Sequence, residues 1–268
     1  MYRFLLSRQW VILTLLALVL IPVMIELGFW QLHRHEHRVA QNAQIARALG
    51  APPVPVEKAT SPGREVPGSD RWHPVTATGA YDTGHEVVVR QRTSADEHSI
   101  GYYVLTPLVL EGGRGTVLVN RGWIPAGDDL TRFPEVPPAP VGQVEVTGRL
   151  MPDETTAESG IKDKRGLPPR QVMLINSRQR AAALDGPVLG GYIELTGTAP
   201  APRAKGQPEL VPEPDHDSIG PHMAYAIQWW LFAAGVPVGW VVLVRRERND
   251  RLAARGKAAE PATPVPAA

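Results

Sequence analysis

The sequence predicts a membrane protein in which two transmembrane helices, one N-terminal and one C-terminal, bracket an exported all-β domain. That domain is expected to be barrel- or sandwich-like and to carry one short helix. Three observations lead there. Two long apolar stretches lie near opposite ends of the chain, and basic residues crowd their outer flanks. Between them the pattern changes to short runs of β-branched residues interrupted by Gly and Pro.

The apolar stretches cover residues 10–29 and 223–244. Each has the roughly 20 residues needed to cross a hydrocarbon core of about 30 Å. Leu13, Leu15, Leu16, Leu18, Val19 and Leu20 dominate the first, where Glu26 is the one charge; the second has none. The first run is longer than the ~7–15 apolar residues of a secretory signal, and no Ala-x-Ala site follows, so it reads as an uncleaved anchor. Arg3 and Arg8 precede it, and Arg245, Arg246, Arg248, Arg251, Arg255 and Lys257 follow the second. On the opposite side only Arg34 and Arg38 lie close to a span. The positive-inside rule then puts residues 1–9 and 245–268 in the cytoplasm and exports everything between the spans.

Residues 30–71 read as a helical juxtamembrane segment followed by a Pro-rich linker that forms no regular element. Over 72–198 seven short strands are expected: Val75–Tyr81, Glu86–Arg90, Tyr102–Leu105, Thr116–Val119, Val144–Thr147, Val172–Ile175 and Tyr192–Leu195. One helix is expected at Ser177–Leu184, with Asn176 or Ser177 as its cap and Gly186 closing it. Short strands without long intervening helices make a barrel or sandwich. Residues 134–140 and 199–222 are Pro-rich and irregular, the latter leading back to the membrane. Beyond Gly256 the tail reads as disordered.

Composition excludes some chemistry. With no cysteine there is no disulfide, thiolate metal site or Cys nucleophile. A net charge of +1 argues against a nucleic-acid partner. No phosphate-binding Gly loop, Gly-x-Ser-x-Gly elbow or His-Glu-x-x-His is present. Asp215-His216-Asp217-Ser218 holds triad residue types, but adjacency does not make a triad. No catalytic residue and no metal site is expected. His33 and His37 share a helical face beside His35 and Glu36, an incomplete ligand set that suits a hydrated juxtamembrane stretch better than a metal site. Glu26 lies one helical turn before Trp30, where a carboxylate either serves a function or snorkels to the interface.

His222 carries the most chemistry. Pro221 suits the first helical position, which sets His222 in the first turn at the positive end of the dipole. A neutral imidazole is the form that ligates iron, and Tyr225 and Trp229 follow at helical spacing as an aromatic stripe. An apolar macrocycle with polar propionates would fit there; an ordinary aromatic belt would use the same residues.

Three motifs carry a resemblance. Gly28-Phe29-Trp30-Gln31-Leu32-His33-Arg34 resembles the Gly-x-Trp-Gln-x-x-Arg motif of the surfeit-locus (Surf/Shy) family of cytochrome oxidase assembly proteins. Val119-Asn120-Arg121-Gly122-Trp123-Ile124-Pro125 and Pro221-His222-Met223-Ala224-Tyr225-Ala226-Ile227-Gln228-Trp229 are similar to two further motifs of that family, in the same order. Gly220 stands where family members often have Asn.

The resemblance implies a non-enzymatic assembly factor that assists haem a insertion into the catalytic subunit of a haem-copper oxidase. His222 would be the haem ligand, Tyr225 and Trp229 would line the macrocycle, and Arg34 and Arg121 would pair with propionates. Arg121 would equally be a strand-end residue beside a turn that needs Gly122. Membrane lipid, the oxidase catalytic subunit and the haem a synthesis machinery are the expected partners. No mitochondrial presequence precedes the first span, so the expected location is a bacterial plasma membrane with the β domain on its outer face. A haem-free scaffold for the oxidase subunit and a membrane-tethered exported binding or sensor protein are the alternatives. Gly235 and Gly239 would admit a neighbouring helix, whether the other anchor or a client.

Overall fold

The computed structural model describes residues 3–258 and divides the chain into two units. The helical unit contains residues 1–42 and 216–268, and the β unit residues 43–215.

Two helices form the helical unit: α1 (Arg8–Leu49) and α5 (His222–Ala258), the numbering leaving room for three short helices in the β unit. Both are long and apolar enough to cross a membrane. Helix α1 does not stop at the expected end of its span but runs through the juxtamembrane segment without a break. Pro22 and Pro237 each sit inside a continuous helix. Helix α5 carries on past the apolar stretch into the basic segment; from residue 259 the expected disordered tail lies outside the described residues.

The helices pack antiparallel, with contacts at three levels. Near the chain's start Phe4, Trp10 and Val244 form a small buried cluster. Trp240 Nε1 then donates to Thr14 Oγ1 at 3.1 Å. Further along, a Cβ on Gly28 would sit 2.2 Å from Trp230 Nε1, so only glycine lets the indole in. Phe29 meets the same indole edge-on, with ring centroids 5.6 Å apart. Leucines away from this seam stay exposed, Leu15 at 57% and Leu18 at 62%.

The β unit contains β1 (Val54–Pro55), α2 (Val56–Ala59), β2 (His73–Tyr81), β3 (Val87–Thr93), β4 (Ile100–Leu110), β5 (Thr116–Pro125) and β6 (Gln143–Met151). It continues with α3 (Thr156–Ser159), β7 (Gln171–Val172), α4 (Ser177–Ala181) and β8 (Val188–Ala199). The sheet is mixed, in the order β1-β2-β6-β8-β5-β4-β3-β7, and a further β2–β4 pairing closes β2, β6, β8, β5 and β4 into a ring. Closure brings Gly79 opposite Leu110, where a Cβ would lie 2.2 Å from the Val109 carbonyl oxygen. Val75, Leu108, Val119, Val146, Leu150 and Ile193 meet in one core cluster.

Four sequence expectations change here. The strands are longer than their β-branched runs, because main-chain pairing continues through Gly, Pro and Arg residues that the pattern treats as boundaries. Val172–Ile175 yields only a two-residue strand, while Met173, Leu174 and Ile175 are buried as side chains without ladder pairing. The Pro-rich linker is not featureless: β1 pairs parallel with β2 at a sheet edge, where Pro55 needs no donor, and Val56 and Val66 join the core. Helix α4 has the expected cap, the Asn176 side chain accepting from Gln179 N–H, but it ends at Ala181, well before Gly186.

Candidate functional site

Helix α5 begins at His222, and the Pro221 carbonyl accepts the Tyr225 N–H at 3.1 Å, which seats the imidazole in the first turn. The approach to that turn is held by α1. Arg38 Nε and Asn42 Nδ2 both donate to the Ser218 carbonyl, each at 3.1 Å. Gly220 then adopts φ +66°, a left-handed conformation that Gly reaches freely and Asn tolerates best among the other residues. The exchange of Asn for Gly at this position therefore preserves the backbone.

His222 Nδ1 lies 3.0 Å from Gln31 Oε1 across the antiparallel seam. An amide oxygen only accepts, so Nδ1 is the donor in this contact and Nε2 is the ring nitrogen left for another partner. His222 is half-buried and lines a cavity of about 440 Å³ with Arg34, His37, Arg38, Gln41, Ser218, Ile219 and Gly220. Arg34, His37 and Arg38 are the basic side chains among those lining residues. Arg34 is exposed, with its guanidinium 5.1 Å above the Trp30 ring one helical turn back.

Tyr225 and Trp229 continue along α5 outside the cavity lining. Tyr225 is 47% exposed, and Trp229 meets Phe232 edge-on at 6.2 Å. The seam is filled instead by Trp230, to which sequence reasoning gave no role. Gln31 was also passed over, although it lies within a quoted motif, because a neutral amide gives no charge signal. Glu26 is exposed beside Pro22, Val23, Leu27 and Trp30, the lining of an open apolar concavity. His37 joins the cavity while His33 does not, and no described group of three or more His, Asp or Glu gathers to hold a metal ion.

Arg121 is placed differently from its expected role. It is an inserted residue in the middle of β5, not a strand end: Val104 pairs with Gly122 and Leu105 with Asn120, leaving Arg121 as a β-bulge. Gly122 has φ +124°, and a Cβ there would lie 2.3 Å from the Glu209 carbonyl oxygen. Asn120 Oδ1 accepts the Gly122 N–H at 3.1 Å. The bulge turns Arg121 inward, where it pairs with Glu86 at 3.0 Å with both side chains buried. It also donates to the Pro137 carbonyl at 2.9 Å and to Gln207 Oε1 at 3.1 Å. Three of its guanidinium donations are thus made within the β unit.

A second buried pair, Arg149–Glu194 at 2.8 Å, sits between β6 and β8. Burial pushes the Glu194 carboxyl above the usual range, and the neighbouring Arg149 only partly offsets this. Arg149 also donates to the carbonyls of Val211 and Pro212, at 2.8 and 3.2 Å.

The family model described as the SURF1 family matches residues 18–234. An uncharacterized SURF1-like protein of Mycobacterium bovis is 33% identical over 242 residues, covering 88% of this chain and 83% of the relative. A Mycobacterium tuberculosis (strain H37Rv) SURF1-like protein gives the same figures, 33% over 242 residues. Human Surfeit locus protein 1 is 29% identical over 131 residues, 44% of this chain and 40% of the human protein.

Proposed function

This chain belongs to the SURF1 family, and on that premise we propose that it is a non-enzymatic assembly factor for a haem-copper (cytochrome c) oxidase, acting when haem a enters the catalytic subunit. It works from a bacterial plasma membrane, anchored by α1 and α5 with both termini cytoplasmic and the β unit on the outer face. The apolar surfaces of the two helices and the outer Arg/Lys clusters support that placement. The oxidase catalytic subunit, the haem a synthesis machinery and membrane lipid are its partners.

The observation that carries this reading is His222 fixed by Gln31 at the edge of a cationic cavity. Haem would supply an iron that an imidazole can hold and two carboxylates that need donors. The residues fit those demands: His222 offers Nε2 because Nδ1 is held, as buttressed metal-binding histidines do. Arg34 lines the same cavity and would receive a carboxylate. Tyr225 and Trp229 would face the macrocycle along α5. Arg121 lies in the β unit, where it pairs with Glu86, and is given no part here.

The test is deletion of the gene and reduced-minus-oxidised spectra of the membranes, with complementation by wild type and by His222→Ala. The reading expects a reduced haem a signal that wild type restores and His222→Ala does not. Full restoration by His222→Ala would instead favour a haem-free scaffold. One observation points toward that second reading: Gly235 and Gly239 on α5 have nothing within 4 Å of where a Cβ would stand, which leaves a close-approach surface for a client helix.

A further inference from the structure

We propose that the β unit carries a second binding site, a cavity beside β8 that takes a neutral apolar molecule ending in a carbonyl oxygen. The cavity encloses about 300 Å³, and its lining includes Tyr81, Arg121, Leu195, Gly197, Pro202 and Leu210. Leu195, Pro202 and Leu210 make an apolar wall, the usual character of small-molecule sites. At roughly 30 Å³ per water the space equals about ten waters, enough for a ligand of about that many heavy atoms.

The polar end selects the ligand's functional group. The Tyr81 hydroxyl is buried with no hydrogen bond of full geometry, and the Thr198 side chain is its polar neighbour. Burial pushes this phenol up, so it remains an O–H donor. The guanidinium of Arg121, 5.8 Å from the Tyr81 ring centroid, only donates. A group seated between them must therefore accept. It should also be neutral, because Glu86, 3.0 Å away, already balances the Arg121 charge, and a carboxylate would lose its hydration without a free cation in return.

Gly197 keeps the space open. A Cβ there would meet nothing within 4 Å, and its φ is outside the left-handed region, so a side chain could enter the cavity without backbone strain.

The experiment uses the detergent-solubilised full chain and two probes of matched length, 2-octanone and octanoate, followed by saturation-transfer NMR. Wild type should bind the ketone more tightly than the carboxylate. Tyr81→Phe, which deletes only that hydroxyl, should weaken the ketone about tenfold, the worth of one hydrogen bond. Gly197→Leu should abolish binding with an unchanged circular dichroism spectrum. Ketone binding equal in all three proteins would overturn the proposal, because the signal would then come from detergent or another surface. Tighter binding of octanoate, or loss in Gly197→Leu with none in Tyr81→Phe, would overturn the assignment of a neutral carbonyl.

Discussion

Leu108 in the β unit is fully buried, whereas Leu18 in α1 is 62% exposed, and the two leucines typify their surroundings. The β unit hides its apolar side chains in a closed ring and pairs the charges it buries. The helical unit presents leucines, valines and isoleucines outward and keeps its polar contacts along one seam. A water-facing fold gains free energy from the first arrangement; the second gains only if hydrocarbon replaces water around it. The two units thus distribute apolar surface in opposite ways, and that of the helical unit is compatible with a membrane protein.

The largest expected break in this contrast comes from Arg121. Arg121→Ala strands Glu86 in the core, and losing one partner of a buried pair costs about 3–5 kcal/mol. Urea unfolding of the β unit, followed by the fluorescence of its tryptophans, should show that loss, and Arg121→Lys should not repair it because an ammonium cannot span the same three acceptors. A wild-type-like midpoint would mean the pair is dispensable.

The two leucines give the cleanest comparison. Leu108→Ala should cost about 2–5 kcal/mol in the same assay, while Leu18→Ala should leave the β transition where it is. Equal effects would erase the distinction between the units.

Gly28→Leu probes the seam. Overpacking against Trp230 should cost about 1–3 kcal/mol and force the helices apart. With cysteines at positions 14 and 240, where Thr14 and Trp240 are hydrogen-bonded, oxidative cross-linking should be efficient in the parent and poor with Gly28→Leu. Gly239→Leu, on the open side of α5, should cross-link like the parent.

The smallest expected effect is a pH slope. The folded-state pKa of Glu194 is raised, so its stabilising contribution is complete below the unfolded glutamate pKa and is lost as pH rises through the folded one. Melting temperature of the β unit should therefore fall across that window, and Glu194→Gln should flatten the dependence. A slope unchanged by Glu194→Gln would assign it to other groups.

Much of this was legible from pattern alone. Span length and the switch to β-branched runs are local properties, and each found its element. His222 was legible for the same reason, as Pro221 marks a helix start and the histidine follows it directly. What local reading missed were residues defined by their partners. Gln31 matters because His222 lies opposite it, 191 positions later in the chain. Trp230 rather than Trp229 fills the seam because Gly28 leaves the space there. The Pro-rich segments after β5 and after β8 looked irregular and are irregular, yet they are held. Proline offers a carbonyl but no N–H, and buried arginines meet those segments by donating to the carbonyls of Pro137, Val211 and Pro212.

By itself, then, the sequence determined where the chain could cross a membrane, where strands would form and which histidine begins the second helix. These follow from hydrophobicity, periodicity and capping over a few neighbouring residues. Only the tertiary structure decided that β2 and β4 close a ring, that Arg121 turns inward at a bulge and that Gln31 holds His222. Those outcomes depend on contacts between residues distant in sequence, whose geometry no local pattern records.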